Sequence, residues 1–92
     1  MATLSIDQTR ELLLNSASLR GQTKFTEAID LLERHLPEVH EYLRENALLE
    51  LIYAALEGNR RDKALAYARR LAEIDPDIPT VRRLLAGAGA RG

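Results

Sequence analysis

The apolar residues of this chain recur mostly at steps of three and four, which is the period of an α-helix. The first apolar stripe starts beside Ser5 and Gln8, whose spacing is that of a capping box at a helix N-terminus. Gly21 ends this stripe, and glycine suits the left-handed conformation that closes many helices. A second stripe follows Thr23, its predicted N-cap, and Pro37 ends it because proline disfavours helical backbone in the preceding residue. This half of the chain predicts a helical hairpin.

Residues 38–57 continue the helical period, and two interpretations stay open. Either one helix carries Pro37 in its first turn, which we favour slightly, or a short turn precedes a helix that starts at about Asn46. Gly58 and Asn59 then end the segment, because both residue types favour turns.

The last third of the chain predicts two more helices. One runs from about Arg61 to Ile74, and a short one starts at Pro79, since proline is favoured in a first helical turn. The short helix is predicted to turn three aliphatic residues inward: Val81, Leu84 and Leu85. Because glycines interrupt the C-terminal end, we expect one domain over residues 1–86 and a flexible tail over residues 87–92.

Composition supports an all-α fold class. Of the 42 apolar residues, 17 are leucine and 13 are alanine, whereas valine and isoleucine together number 7 and the aromatic residues 4. Helix formers therefore dominate over residues that strands favour, which argues against a sandwich or barrel. No apolar run approaches the roughly 18 residues of a membrane span, the N-terminus lacks the pattern of a signal peptide, and the absence of cysteine fits a reducing compartment. We expect a cytoplasmic protein that does not contact a membrane.

A repeat of 36 residues relates the two hairpins. The segments Phe25–Ile29 and Arg61–Leu65 both place alanine fourth, at Ala28 and Ala64, and a branched aliphatic residue fifth. Each segment begins the second helix of a predicted hairpin, and each hairpin has a glycine in its turn. One hairpin alone cannot bury its apolar stripe, so this pattern predicts stacked hairpins with a capping helix at the end.

The second hairpin resembles the tetratricopeptide repeat family, whose period is about 34 residues. At the family's signature positions the first helix carries Leu48, Leu51, Ile52 and Ala55, and the second helix carries Ala64, Ala68, Leu71 and Pro76. Three of these match well, Leu51, Ala64 and Pro76, whereas Ile52, Ala55, Ala68 and Leu71 depart in size. In the first hairpin only Leu12, Phe25, Ala28 and the glycine-bearing turn match. The resemblance implies a right-handed array of two antiparallel helical hairpins plus a short C-terminal capping helix, and the alternative is another kind of helical hairpin array.

The same resemblance implies a concave groove lined by the first helix of each hairpin. Matched position by position, the groove would be lined by Arg10, Leu13 and Ala17 from the first hairpin and by Asn46, Leu49, Tyr53 and Leu56 from the second. Some members of the family grip the carboxylate of a peptide C-terminus with Lys and Asn in this groove. Leu49 and Tyr53 stand there in this chain, so that activity is not expected.

The segment 48–56 is apolar over an arc of about 200° when its residues are placed at 100° steps. One-sided packing needs only ~100° or slightly more. The residues outside the ordinary core stripe are Leu49, Tyr53 and Leu56. They are either extra core or an exposed groove for an amphipathic helix, an extended peptide or a second copy of the chain. On the groove hypothesis, Leu49→Asp or Tyr53→Asp abolishes binding while the helix content stays.

Charge is balanced overall, with a net charge of −1, but it is not evenly spread. Residues 1–57 carry a net charge of −5 and residues 58–92 a net charge of +4. Arg61, Arg69 and Arg82 are candidates for electrostatic contacts with nucleic acid or an acidic partner. Solvated helix faces are the favoured explanation of these arginines, and a near-neutral total speaks against a dedicated nucleic-acid binder.

No motif predicts an enzyme, a metal site or a cofactor. His35 and His40 are five residues apart and straddle Pro37, so they do not share a helix face as a zinc-binding pair at i and i+4 would. No glycine-rich phosphate loop is present. The sequence therefore predicts a non-catalytic protein–protein interaction module, with a regulator that contacts nucleic acid or an acidic partner through the basic C-terminal half as the alternative.

Overall fold

The structure is a computed structural model that describes residues 3–90, with side chains described through residue 87. Within residues 3–90, five α-helices follow one another: α1 (Ile6–Gly21), α2 (Phe25–His35), α3 (Arg44–Glu57), α4 (Arg61–Ile74) and α5 (Pro79–Ala90). Two short 3-10 turns, Leu36–Glu38 and Glu41–Leu43, connect α2 to α3. No strand occurs within the described range, and the predicted all-α class is confirmed.

The helices form two hairpins and a final covering helix. Three-residue turns join α1 to α2 and α3 to α4, and the joined helices pack together, which makes each pair antiparallel. Helix α3 is the central element because it packs against α1, α2 and α4, whereas α5 packs on α4. The molecule measures 40 × 28 × 18 Å and is therefore plate-like.

The two hairpin turns have the same backbone at a step of 36 residues. The turn after α1 takes φ,ψ values of −92°,7° at Gln22 and −92°,65° at Lys24, and the turn after α3 takes −89°,9° at Gly58 and −105°,66° at Arg60. The hydrogen bonds repeat as well, since Lys24 N donates to the carbonyl of Leu19 at 2.8 Å and Arg60 N to that of Ala55 at 2.7 Å. The repeat predicted from the sequence is therefore confirmed in the hairpin backbone.

The caps of the first hairpin are only partly as predicted. Ser5 and Gln8 form the predicted capping box at the start of α1, with each side chain bound to the other residue's backbone N–H. Thr23 is not the N-cap of α2, since Lys24 occupies that position and Thr23 has a φ of 61°. Gly21 stays inside α1, so the left-handed residue of this turn is a threonine rather than the predicted glycine.

The favoured prediction of one helix over residues 38–57 is wrong, and the alternative of a turn before α3 is nearer to the structure. Val39 and His40 are extended, with ψ values of 146° and 137°, which interrupts the helix. Val39 is fully buried, and the backbone N–H of His40 donates to the Thr9 hydroxyl at 3.0 Å. These tertiary contacts with α1 and the core decide against helical continuation, although the local pattern favours it.

One apolar core runs through both hairpins and α5. The alanines of the predicted repeat, Ala28 and Ala64, have no exposed surface and let neighbouring helices approach closely. Val81 and Leu84 of α5 are buried as predicted, and Leu85 is half-buried. Helix α5 continues to Ala90, into the segment where a flexible tail is predicted, and residues 91–92 of that tail lie outside the described residues.

Candidate functional site

An open groove lies between α1 and α3, with a cavity volume of about 390 Å³. Its walls are mostly apolar and consist of Arg10, Leu13, Leu14, Ala17, Leu43, Asn46, Leu49, Glu50 and Tyr53. Five of the six residues predicted to bind a partner are therefore brought together: Leu13, Ala17, Asn46, Leu49 and Tyr53. Leu56 is the exception, because it is half-buried against the core and does not line the cavity.

Helix α1 presents leucine to the groove because it buries other residues. Its buried face consists of Thr9, Leu12 and Ser16, so two of the three consecutive leucines point away from the core centre. Leu13 is half-buried, and Leu14 is 70% exposed. An exposed leucine on the rim of an apolar groove is a surface that water solvates poorly.

Helix α3 contributes the opposite wall. Leu49 and Tyr53 are both half-buried, so neither the extra-core hypothesis nor the free-groove hypothesis describes them completely. Leu49 packs partly against the core, and the remaining surface of both side chains faces the cavity. Whether this surface takes a partner stays a prediction.

Arg20 fixes one end of the groove. Its Nη1 donates to both carboxylate oxygens of Glu50, at 2.9 and 2.7 Å, and its Nε and Nη2 donate to Glu57 at 3.1 Å each. The guanidinium carbon also lies 5.4 Å from the centre of the Tyr53 ring, within cation–π range. The hydrogen bonds that Arg20 donates to Glu57, and then those that it donates to Glu50, raise the pKa of Arg20 above its ordinary value, although burial acts against them. The cluster of one guanidinium and two carboxylates has a net charge of −1. The same guanidinium holds the Tyr53 ring in place as part of the groove wall.

Arg10 lies at the other end of the groove and is mostly exposed. Its Nη1 is 3.5 Å from Asp7 Oδ1, but the two side chains are 60% and 93% exposed, so water screens the pair. One end of the groove therefore has Arg10, loosely paired with Asp7, and the other end has Glu50 and Glu57, which leave one negative charge.

A second ionic cluster links α2 to α4 outside the groove. Lys63 Nζ donates to the two carboxylate oxygens of Glu33 at 2.8 and 2.9 Å, and the Tyr67 hydroxyl donates to the same carboxylate. Burial alone would raise the pKa of Glu33, but the hydrogen bonds from Lys63 and Tyr67 outweigh it and lower that pKa below 4.5. Burial first, and then the bond to Glu33, raises the pKa of Tyr67 to about 12, so this phenol keeps its proton at neutral pH. The cluster is arranged to hold the two helices together.

The basic residues named as electrostatic candidates are all exposed: Arg61, Arg69 and Arg82. Arg82 borders a shallow cavity with its α5 neighbours Pro79, Arg83 and Ala86. Arg61 reaches α5 near Gly87, where an added Cβ would lie 3.4 Å from its Nη2. The cavity beside Arg82 includes neither Arg61 nor Arg69.

The two histidines have separate, local partners. His35 Nδ1 lies 3.1 Å from Glu38 Oε1, and His40 Nδ1 accepts a hydrogen bond from the backbone N–H of Tyr42 at 3.1 Å. Among residues 3–90, no group of three or more His, Cys, Asp and Glu side chains could hold a metal ion.

Sequence reasoning missed three residues of the groove: Leu14, Leu43 and Glu50. Leu14 carried a usable signal, because only one residue of three consecutive leucines can lie at the centre of a one-sided helix stripe. Leu43 could not be placed without the turn that precedes α3. Glu50 reaches the groove wall as part of the Arg20 cluster, and no local pattern predicts that pairing across 30 residues.

Comparisons with protein-family models, with curated proteins and with solved structures found no match for this chain. In the part of the chain that is described, none of the helices combines the length and apolarity needed to cross a membrane.

Proposed function

We propose that this chain is a non-catalytic protein–protein interaction module, an adaptor or chaperone-like subunit, whose docking site is the groove between α1 and α3. One observation carries the proposal: Leu14 is 70% exposed on the rim of a largely apolar cavity of about 390 Å³. A right-handed tetratricopeptide-like array is part of the proposal. The 36-residue repeat of the hairpin backbone and the packing of α1 against α3 support it.

The dimensions of the groove suit a helical segment. Its lining spans residues 10–17 on α1 and residues 46–53 on α3, which at 1.5 Å per residue correspond to about 10 Å each. About two turns of a partner helix fit this length, with apolar anchors at i, i+3, i+4 and i+7. A helix with one apolar face is therefore the best-fitting class of ligand.

Binding of a partner in the groove is favoured because apolar surface remains to be buried and the Tyr53 side chain is already held in place. Full burial of a leucine-sized side chain contributes about 1.5–3 kcal/mol, and Leu14 has the most surface left to bury. Arg20 holds Tyr53 in place before binding, so less side-chain entropy is lost when the partner arrives.

Photo-cross-linking tests the proposed site whatever protein the partner is. A benzoylphenylalanine at position 14 is tolerated because Leu14 is mostly exposed, and the same group at Glu27, an exposed position on α2, is the matched control. We expect a discrete cross-linked protein from position 14 and none from position 27, in the purified protein or in extract of the cells that express it. Equal adducts from both positions, or none from position 14, would contradict the proposal.

A further inference from the structure

We infer that the groove takes an amphipathic helix of another protein, and that this helix carries Lys or Arg at the end that lies beside Glu50 and Glu57. The inference rests on the proposed function, since it states the chemistry of the partner of the same groove. It is carried by the charge at the Arg20 end of the groove together with the apolar walls that lead up to it.

The carboxylates at this end of the groove are only half neutralised. Arg20 donates two hydrogen bonds to Glu50 and two to Glu57, so one positive charge serves two negative charges. Each carboxylate oxygen accepts one of these bonds and has a lone pair left for another donor. The Glu57 side chain is 44% exposed, so an ammonium or guanidinium of a partner can reach it without displacing Arg20.

The nearby basic residues do not cancel this negative charge. Arg10, at the far end of the groove, is paired with Asp7 at 3.5 Å. Arg44, the only basic residue of the segment 41–57, lines a different cavity together with Tyr67 and Arg70. That segment includes the second wall of the groove, and with four acidic residues and one basic residue it has a net charge of −3. Charge complementarity therefore selects a positive partner.

The apolar walls fix where the positive charge of the partner lies. Leu14 and Tyr53 line the groove, which accommodates about two turns of a helix. Glu57 follows Tyr53 by one turn of α3, about 6 Å further along the axis. The partner is therefore a helix of about three turns, with apolar anchors in two turns and basic residues in the adjoining one.

Selection from a library of displayed helices of about 14 residues tests this composition. The library fixes leucine at i, i+3, i+4 and i+7 and samples Lys, Glu, Gln and Ala equally elsewhere. Helices that bind the native chain are kept, and those that also bind Leu14→Gln are discarded, because they do not use the apolar wall. This substitution leaves the net charge unchanged and alters an exposed residue, so circular dichroism should match that of the native chain.

We expect the retained helices to be enriched in Lys over Glu in the turn at one end of the leucine pattern. Retained helices with as much Glu as Lys in both end turns would overturn the inference.

The affinity of one retained helix, measured by fluorescence anisotropy, locates the charge contact. Glu57→Gln should raise its Kd about fivefold at about 50 mM salt and less than twofold at about 500 mM salt, because salt screens charge pairs at the surface. A loss of packing alone would not depend on salt in this way. Glu27→Gln, which alters an exposed carboxylate on α2, is the matched control and should leave the Kd unchanged. Equal Kd values for the native chain and Glu57→Gln at low salt would overturn the inference.

The fate of the proposed function can be distinguished from this result. If helices that depend on Leu14 are retained without an excess of Lys, the groove remains a docking site and only the basic partner is excluded. If no helix depends on Leu14 and the cross-linker at position 14 captures nothing, both fail together.

Discussion

Helices α1 and α3 occupy equivalent places in two hairpins with the same turn backbone, yet they bury very different residues. Helix α3 buries six apolar side chains: Ala47, Leu48, Leu51, Ile52, Ala54 and Ala55. Helix α1 buries only one, Leu12, together with the polar Thr9 and Ser16. The cause is position, because α3 has helices on several sides and α1 lies at the edge of the array. The leucines that α1 cannot bury form one wall of the groove.

The largest expected effect comes from replacing a buried residue of α3 with the residue at the equivalent position of α1. Ile52 and Ser16 are 36 residues apart, and both are fully buried. Ile52→Ser leaves a cavity and adds a buried hydroxyl, so we expect the free energy of unfolding to fall by about 4 kcal/mol. Urea denaturation measures this loss. A loss below about 1 kcal/mol would mean that α3 is not the centre of the core.

The two turns differ in how much room they leave at equivalent positions. A Cβ added at Gly58 would lie 2.8 Å from Phe25 Cβ and 3.1 Å from the Ala54 carbonyl oxygen. Gln22, the equivalent residue of the first turn, has nearly the same φ and ψ values and already carries a side chain. We expect Gly58→Ala to lower the free energy of unfolding by about 1–3 kcal/mol through overpacking. Gln22→Ala is the control and should change it by less than about 0.5 kcal/mol. Equal effects in thermal denaturation would show that Phe25 moves aside freely.

The ionic links between hairpins differ as well, since Arg20 ties the first helices together and Glu33 ties the second helices. The lowered pKa of Glu33 means that its contribution is present above pH 4.5 and is lost as the pH falls through the folded-state pKa. Glu33→Gln should therefore cost about 0.5–1 kcal/mol at pH 7, a small value because both partners are 28% exposed and water screens them. The difference from the native chain should therefore be smaller at pH 3 than at pH 7.

Denaturation curves at the two pH values check this prediction, and Glu27→Gln, an exposed carboxylate on the same helix, is the control. A Glu33→Gln penalty that is the same at both pH values would assign the loss to packing rather than to the charge of Glu33.

The smallest expected effect is at Ser16. Its hydroxyl is fully buried and has no hydrogen-bond partner in the described part of the chain. Ser16→Ala removes that polar group without a change of shape, so we expect a gain of about 0.5–1 kcal/mol in the free energy of unfolding. Calorimetry detects this as a higher Tm. A clear loss instead would show that the hydroxyl is hydrogen-bonded in solution.

Much of the candidate groove followed from matched positions in the sequence, but its details did not. Leu13, Ala17, Asn46, Leu49 and Tyr53 lie together because the 36-residue repeat places them on equivalent helix faces. Leu56 was misplaced because an arc drawn on one helix does not reveal which neighbour covers each part of it. The Arg20 cluster at one end of the groove depends on pairs separated by 30 or more residues, which a local pattern cannot predict.

Local periodicity, capping residues and alanine spacing are enough to predict the helices, their hairpin pairing and their repeat. Residues 36–43 show the limit of such local signals, since contacts of Val39 and His40 with the rest of the molecule override the helical pattern there. Which apolar residues of α1 and α3 stay accessible depends on the packing of the helices and could not be read from any one segment. Burial depends on how many neighbours surround a helix, and that number is a property of the packed array rather than of any one segment.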